Sequence, residues 1–375
     1  MKEIRYEMYR DILAQGFDGR TCRIAPRAFR TPDGRIHIAY GTLLLSGSDV
    51  FQDNCVISSG DGGKTFSDPR VLNGRPETYE NGVRRVYSLN AFYHEKSRCC
   101  FALGRMTSYS DDRAPIHSGK GMMNALTGTF DPAGMRFTSC EIMIPPGTED
   151  YDVLTFMEPL EEEDGTVLIP AYARPGDQSR HEVVVFRFAV ENGRLRFLAR
   201  GASLVRNDLN RGLCEPRLTK LRGTYYLTLR SDEIGWLSKS ADGLNFSAPT
   251  EWRWDDGELL TSRNTQQAWL RHPDGLFLVY TRETPHNRHI FRRRAPLFMA
   301  RFDEDRDCLI KDTEVIAVPE MGARLGNFSV TGISENEAWI CVCEWMQTTG
   351  PDPFDSSRCV QYGANNRLWR TRIVW

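Results

Sequence analysis

Four arginines and a glutamate close five separate apolar segments of this 375-residue chain: Arg105, Arg174, Arg230, Arg282 and Glu344. A single arginine at the end of an apolar run is ordinarily a solvated charge. Four at matched positions, facing further polar residues on the preceding segments, form a set. Those facing residues are Arg23, then Tyr87 and Asn90, Glu215 with Arg217, Arg263 with Asn264 and Gln266, and Arg324 with Asn327. Guanidiniums that converge on one point hold a carboxylate or sulfate through paired N–H donors. Arg263, Asn264, Gln266, Arg324 and Asn327 are therefore candidate substrate contacts. His286 and His289, in the polar loop after Arg282, offer a proton carrier near neutral pH, and His289 is taken as the candidate. No histidine, cysteine or carboxylate group has metal-ligand spacing, so neither a metal nor another cofactor is expected.

What could bring these residues together is a repeat. Six copies of one phrase can be found, beginning RIAPRAFRTPDGRIHIAYG, VYSLNAFYHEKSRCCFALGR, LTFMEPLEEEDGTVLIPAYAR, CEPRLTKLRGTYYLTLRS, QQAWLRHPDGLFLVYTR and NFSVTGISENEAWICVCEW. The period is roughly 60 residues, each copy holding short apolar or alternating strands at hairpin spacing, with almost no helical periodicity. Radial repetition of a four-stranded meander gives a β-propeller, which leaves only short, protected sheet edges. The expected fold is all-β: a six-bladed propeller of four-stranded antiparallel blades, with residues 1–375 forming one domain.

Two turns sharpen this reading. Ser59-Gly60-Asp61-Gly62-Gly63-Lys64-Thr65-Phe66 fits the pattern Ser-x-Asp-x-Gly-x-Thr-aromatic, and Ser240-Ala241-Asp242-Gly243-Leu244-Asn245-Phe246 is one residue shorter. The Asp carboxylate can accept turn N–H groups, Gly supplies positive φ, and the aromatic packs between strands. This motif resembles the Asp box of sialidase-like (BNR-repeat) propellers. Arg23-Ile24-Ala25-Pro26 resembles the Arg-Ile-Pro opening of sialidases with one residue inserted. Glu215-Pro216, followed by a strand ending in Leu229-Arg230 and by the second Asp-box turn, is similar to the segment holding the sialidase catalytic Glu and second triad arginine.

The resemblance implies Glu215 and Asp49 as acid/base groups, with Asp53 as the alternative to Asp49. It also implies Arg23, Arg230 and Arg282 as the arginines that hold a carboxylate; Arg292, Arg293 and Arg294 compete with Arg282 for the third place. One position departs from the family. Sialidases attack with a Tyr in a Tyr-Ser motif on the sixth blade, and this chain has Phe328-Ser329, whose ring carries no nucleophilic oxygen. Tyr87 and Tyr362 are the possible replacements. Beside Glu215, the Phe328 ring is expected to raise the carboxyl pKa by desolvation.

Composition bounds the partners. A formal net charge of −2 and only one short basic run, Arg292-Arg293-Arg294, argue against nucleic acid or an anionic membrane as partner. The charged amino-terminal stretch and ten cysteines without a disulfide-like or zinc-like pattern point to free thiols and a cytoplasmic location. The expected partner is a small oligosaccharide or terminal acidic sugar. The leading functional expectation is an exo-acting glycoside hydrolase. A uronate-directed polysaccharide lyase and a non-catalytic glycan-binding propeller are the alternatives.

Overall fold

In the computed structural model, residues 3–72, 77–117 and 119–375 are described, and nearly all the regular structure is antiparallel strand. Three four-stranded sheets follow the meander expected from the repeat. The first runs Thr21–Arg30, Ile36–Leu44, Val50–Ser59, Arg70–Val71. Another runs Cys214–Leu221, Thr224–Arg230, Gly235–Ser240, Thr250–Glu251. In the third, Phe328–Ser334, Glu337–Cys343 and Leu368–Val374 are completed by Glu7–Ala14 from the opposite end of the chain. Glu7 lies opposite Val374 and Ala14 opposite Leu368, so the two ends of the chain are joined by a backbone ladder. A five-stranded sheet is built on Ala268–His272, Gly275–Tyr280 and Leu297–Asp303.

The remaining strands form one eleven-stranded sheet where the repeat leads one to expect two separate ones. It contains two meanders, one led by Val83–His94 and Cys99–Tyr109, the other by Tyr151–Phe156 and Thr166–Pro175. They meet through one parallel pairing, Val153 beside Met123. The arrangement is a β-propeller in which the sheets pack face to face through apolar layers. Phe277, Val279, Leu297, Phe328 and Ile340 belong to one such layer, between the last two sheets in sequence.

Each Asp-containing turn fastens its sheet to the preceding one. Asp61 accepts hydrogen bonds from the Lys64 and Thr65 N–H groups at 2.9 and 3.0 Å and from the Thr65 hydroxyl at 2.7 Å. These donors hold its carboxyl well below the usual carboxylate range. Gly63 has φ +87°, and a Cβ there would come within 2.4 Å of the Trp339 ring on the closing sheet. Arg370 donates to the Gly63 carbonyl at 2.6 Å while lying over Trp339. Asp242 accepts from the Leu244 and Asn245 N–H groups, both at 2.8 Å, and Gly243 abuts Leu168 of the preceding meander. Neither turn touches the cavities described below. All ten cysteines are free thiols. Among the described residues no helix is long and apolar enough to cross a membrane, and no cluster of metal-binding side chains is found.

Candidate active site

The strand Cys214–Leu221 carries a bulge. Cys214 lies opposite Arg230 and Arg217 opposite Thr228, so Glu215 and Pro216 together face a single partner residue, Leu229. Glu215 sits at φ +46°, a left-handed conformation that costs a side-chain-bearing residue about 1 kcal/mol. Pro216, which has no N–H to give, falls where the ladder is already broken. The outcome is a salt bridge: Glu215 Oε2 lies 2.6 Å from Arg230 Nη1. The strand Thr21–Arg30 repeats the device, with Ala25 at φ +48° and Pro26 in the bulge. Beyond the two bulges, Arg27 and Arg217 reach the same carboxylate, Glu158; Arg27 is in contact and Arg217 lies 3.6 Å away.

Glu215 faces two connected cavities. A wide one of about 480 Å³ and a narrow one of about 190 Å³ share Arg105, Tyr172, Glu215 and Asn327 as walls. Pro26, Asn90, Thr155, Arg217, Gln266 and Phe328, each from a different meander, line the narrow cavity. The wide cavity is lined by six arginines (Arg105, Arg174, Arg211, Arg230, Arg292 and Arg294) and two carboxylates, Asp49 and Glu215. Behind its wall Asp152 lies 3.3 Å from Arg174, and Asp232 chelates Arg211. Counting these two, six guanidiniums face four carboxylates, an excess of two positive charges. Among the described residues Arg105, Arg292 and Arg294 have no carboxylate within ion-pair distance.

Asn264, at φ +47°, organises one side of this charge. Its Oδ1 accepts from Arg230 and, at 3.1 Å, from Arg211, while its backbone carbonyl accepts from Arg294. Burial pushes the Glu215 carboxyl up, but Arg230, Arg294 and Arg217 outweigh it and leave the pKa below the ordinary 4.5. The expectation that the Phe328 ring would raise it is therefore corrected, although that ring does line the narrow cavity with Glu215. His117 and His181 line the wide cavity, and burial lowers both imidazoles, His181 to about 4, so both are neutral near pH 7.

Of the residues chosen from the sequence, Asp49, Glu215, Arg230 and Asn327 line the wide cavity, Gln266 lines the narrow one, and Asn264 braces the arginines. Five do not belong to this set. Arg23 donates to the Asn366 carbonyl at 2.6 Å and lines neither cavity, because the bulge after it makes Arg27 the inward-facing residue. Arg282 is clamped by Glu314 at 2.8 and 2.6 Å over the Phe298 ring; Arg292 and Arg294 are the cavity arginines of that region. Arg263 is exposed, 3.9 Å from Glu283. Arg324 is buried against Trp345, and His289 pairs with Glu320 at 2.7 Å; both face a smaller neighbouring pocket. Of the alternatives, Asp53 and Tyr87 line neither cavity, while exposed Tyr362 stacks on His289.

Sequence reading missed Tyr172, His117, His181 and Arg211. Tyr172 was within reach: it lies two residues before Arg174, hence on the same strand face, and it accepts from Arg105 at 3.3 Å. The other three come from connections between strands, where no periodicity places a side chain.

No protein-family model matches the chain, and no curated protein matches it in sequence. Solved structures do resemble it in fold. A protein of unknown function from Dyadobacter fermentans aligns with TM-score 0.63 at 13% identity, covering 97% of each chain. The intramolecular trans-sialidase from Ruminococcus gnavus, solved with oseltamivir carboxylate, aligns with TM-score 0.57 at 10% identity over 94% of each chain. An α-L-arabinanase from Penicillium chrysogenum, solved with arabinobiose, aligns with TM-score 0.60 at 12% identity over 99% of each chain. The chain thus has the fold of the propeller glycosidases, at identities that mark a divergent sequence.

Proposed function

We propose that this chain is an exo-acting glycoside hydrolase that removes an acidic terminal sugar, built as one six-bladed propeller domain. Six inner segments around the narrow cavity support the blade number, with the eleven-stranded sheet read as two blades bridged by the single Val153–Met123 pairing. The observation that carries the function is the excess of positive charge around Asp49 and Glu215 in a sugar-sized cavity. Such a cavity favours an anion over a neutral sugar, and its desolvated wall strengthens each guanidinium–oxyanion contact.

In this reading Arg230, Arg292 and Arg294 receive the sugar carboxylate. Glu215, kept ionised by its arginines, takes a proton from the attacking water, and Asp49 protonates the leaving oxygen. A substrate carboxylate on Arg230 competes with Glu215 for that guanidinium, which frees Glu215 to act as base. A second reading has its own support: Tyr172 and two neutral imidazoles, His117 and His181, beside arginines suit proton abstraction next to a uronate carboxylate, as in a lyase. Incubation with sialosides, uronate disaccharides and sulfated glycans separates the two. The hydrolase reading expects a saturated reducing sugar; an unsaturated product absorbing in the ultraviolet would replace it with the lyase.

A further inference from the structure

Beside the wide cavity lies a smaller pocket of about 120 Å³ whose wall includes Arg288, Arg292, Arg293, Arg324 and Arg358, with no carboxylate among its lining residues. Nearby acids offset this charge only in part: Asp49, on the wall of the wide cavity, acts on Arg292 and Arg324. Glu320 is taken by His289 at 2.7 Å and by the Gly322 N–H, and Glu283 stands 3.8 Å from Arg293. Arg324, 2% exposed, is held between the Trp345 and Phe291 rings, and its Nε has no hydrogen-bond partner among the described residues. Arg292 and Arg293 both have left-handed backbone, at φ 56° and 55°, an uncommon turn that lets Arg292 line this pocket and the wide cavity together. Five guanidiniums from three chain segments surround a volume suited to one oxyanion, and mutual repulsion makes such a cluster costly unless an anion occupies it.

We propose that this pocket is a second subsite, which takes an oxyanion substituent, a sulfate ester above all, on the sugar next to the one in the wide cavity. The inference rests on the reading of the wide cavity as an acidic-sugar site and extends it to the substrate class: a chain anionic at two consecutive residues.

The test uses Arg288→Gln/Arg358→Gln, two exposed residues outside the wide cavity. Calorimetry compares the double variant with the wild type on an acidic monosaccharide, and on a uronate-terminated disaccharide with and without an O-sulfate on its second sugar. The expected result is tighter wild-type binding of the sulfated disaccharide, about tenfold or more of which the variant loses. Affinity for the other two ligands is expected to stay unchanged. Equal wild-type binding of both disaccharides, or equal weakening of all ligands in the variant, overturns the subsite while leaving the wide-cavity reading intact. Sulfate-dependent binding that the variant loses, together with no binding of the monosaccharide, supports the subsite and refutes the wide-cavity reading instead. Inorganic sulfate is the last arm: binding as tight as that of the sulfated disaccharide makes the pocket a free-anion site and overturns the proposal.

Discussion

The sheets beginning at Thr21 and at Cys214 are built on the same plan, and only one of them carries the Glu215–Arg230 ion pair. Each opens with a bulge that contains a left-handed residue and a proline, Ala25-Pro26 in one and Glu215-Pro216 in the other. Each sends the following arginine, Arg27 or Arg217, to Glu158, and each joins its third and fourth strands through an Asp-centred turn. Their registers superpose: Ile24 faces Gly41 as Cys214 faces Arg230. At the two positions that matter, the first sheet has Ala25 and Gly41 where the other has Glu215 and Arg230. The bulge is therefore a feature of the scaffold, and the proposed chemistry rests on a pair of side chains placed on one copy of it.

Several substitutions can break that comparison. Arg230→Gly alone copies half of the first sheet and leaves the part-buried Glu215 without its main partner. It should lower stability by about 3 kcal/mol, and adding Glu215→Ala should restore part of the loss, because the unpaired charge goes with it. Chemical denaturation of the single and double variants measures this; strict additivity would mean that the two residues do not act as a pair.

The next effect concerns pH. His37, in the first sheet, is held between the Thr31 and Ser58 hydroxyls, and burial lowers its imidazole to about 4 from 6.5. A neutral buried histidine binds fewer protons folded than unfolded. Its contribution is therefore intact above pH 6.5 and is lost progressively down to about pH 4, to the extent of about 3 kcal/mol. The same position in the Glu215 sheet falls at Tyr226, whose hydroxyl burial raises above 10, so it does not titrate there. Hydrogen exchange should thus show the first sheet opening more readily at pH 5 than at pH 7, ahead of the other; equal change in both would contradict the assignment.

Smaller effects follow. Asp242→Ala removes the acceptor of the Leu244 and Asn245 N–H groups and should cost about 1–2 kcal/mol in thermal or chemical unfolding, with activity per folded molecule unchanged. Ala25→Gly relieves a left-handed alanine and should shift stability by less than about 1 kcal/mol, again without a change in activity.

The limits of sequence reading show in the same pair of strands. The repeat and the two Asp-centred turns were legible because period-2 apolar runs and Asp/Gly turn chemistry are local. Glu215 and Arg230 were legible because Arg230 closes a repeated strand and their segment is similar to the sialidase one that holds a catalytic Glu and an arginine. Arg23 follows from the Arg-Ile-Pro resemblance and Arg27 goes unnoticed: a bulge shifts which residues face inward, and nothing in Arg-Ile-Ala-Pro-Arg announces where the register breaks. Arg211, His117, His181, Arg292 and Arg294 lie outside the periodic strands, so their convergence depends on how the connections fold over the channel. The closing strand Glu7–Ala14 was missed for a related reason: its partners are the last residues of the chain, and no local pattern reveals that pairing.

The most direct test of the account is kcat/KM for wild type and Glu215→Gln on a glycoside of an acidic sugar, with the product identified and the pH profile recorded. The predicted result is a saturated reducing sugar, a loss of ~10²–10⁴-fold per folded molecule in the variant, and a wild-type acid limb below the ordinary carboxyl value of 4.5. Activity retained in Glu215→Gln, or an acid limb near pH 6, would contradict it.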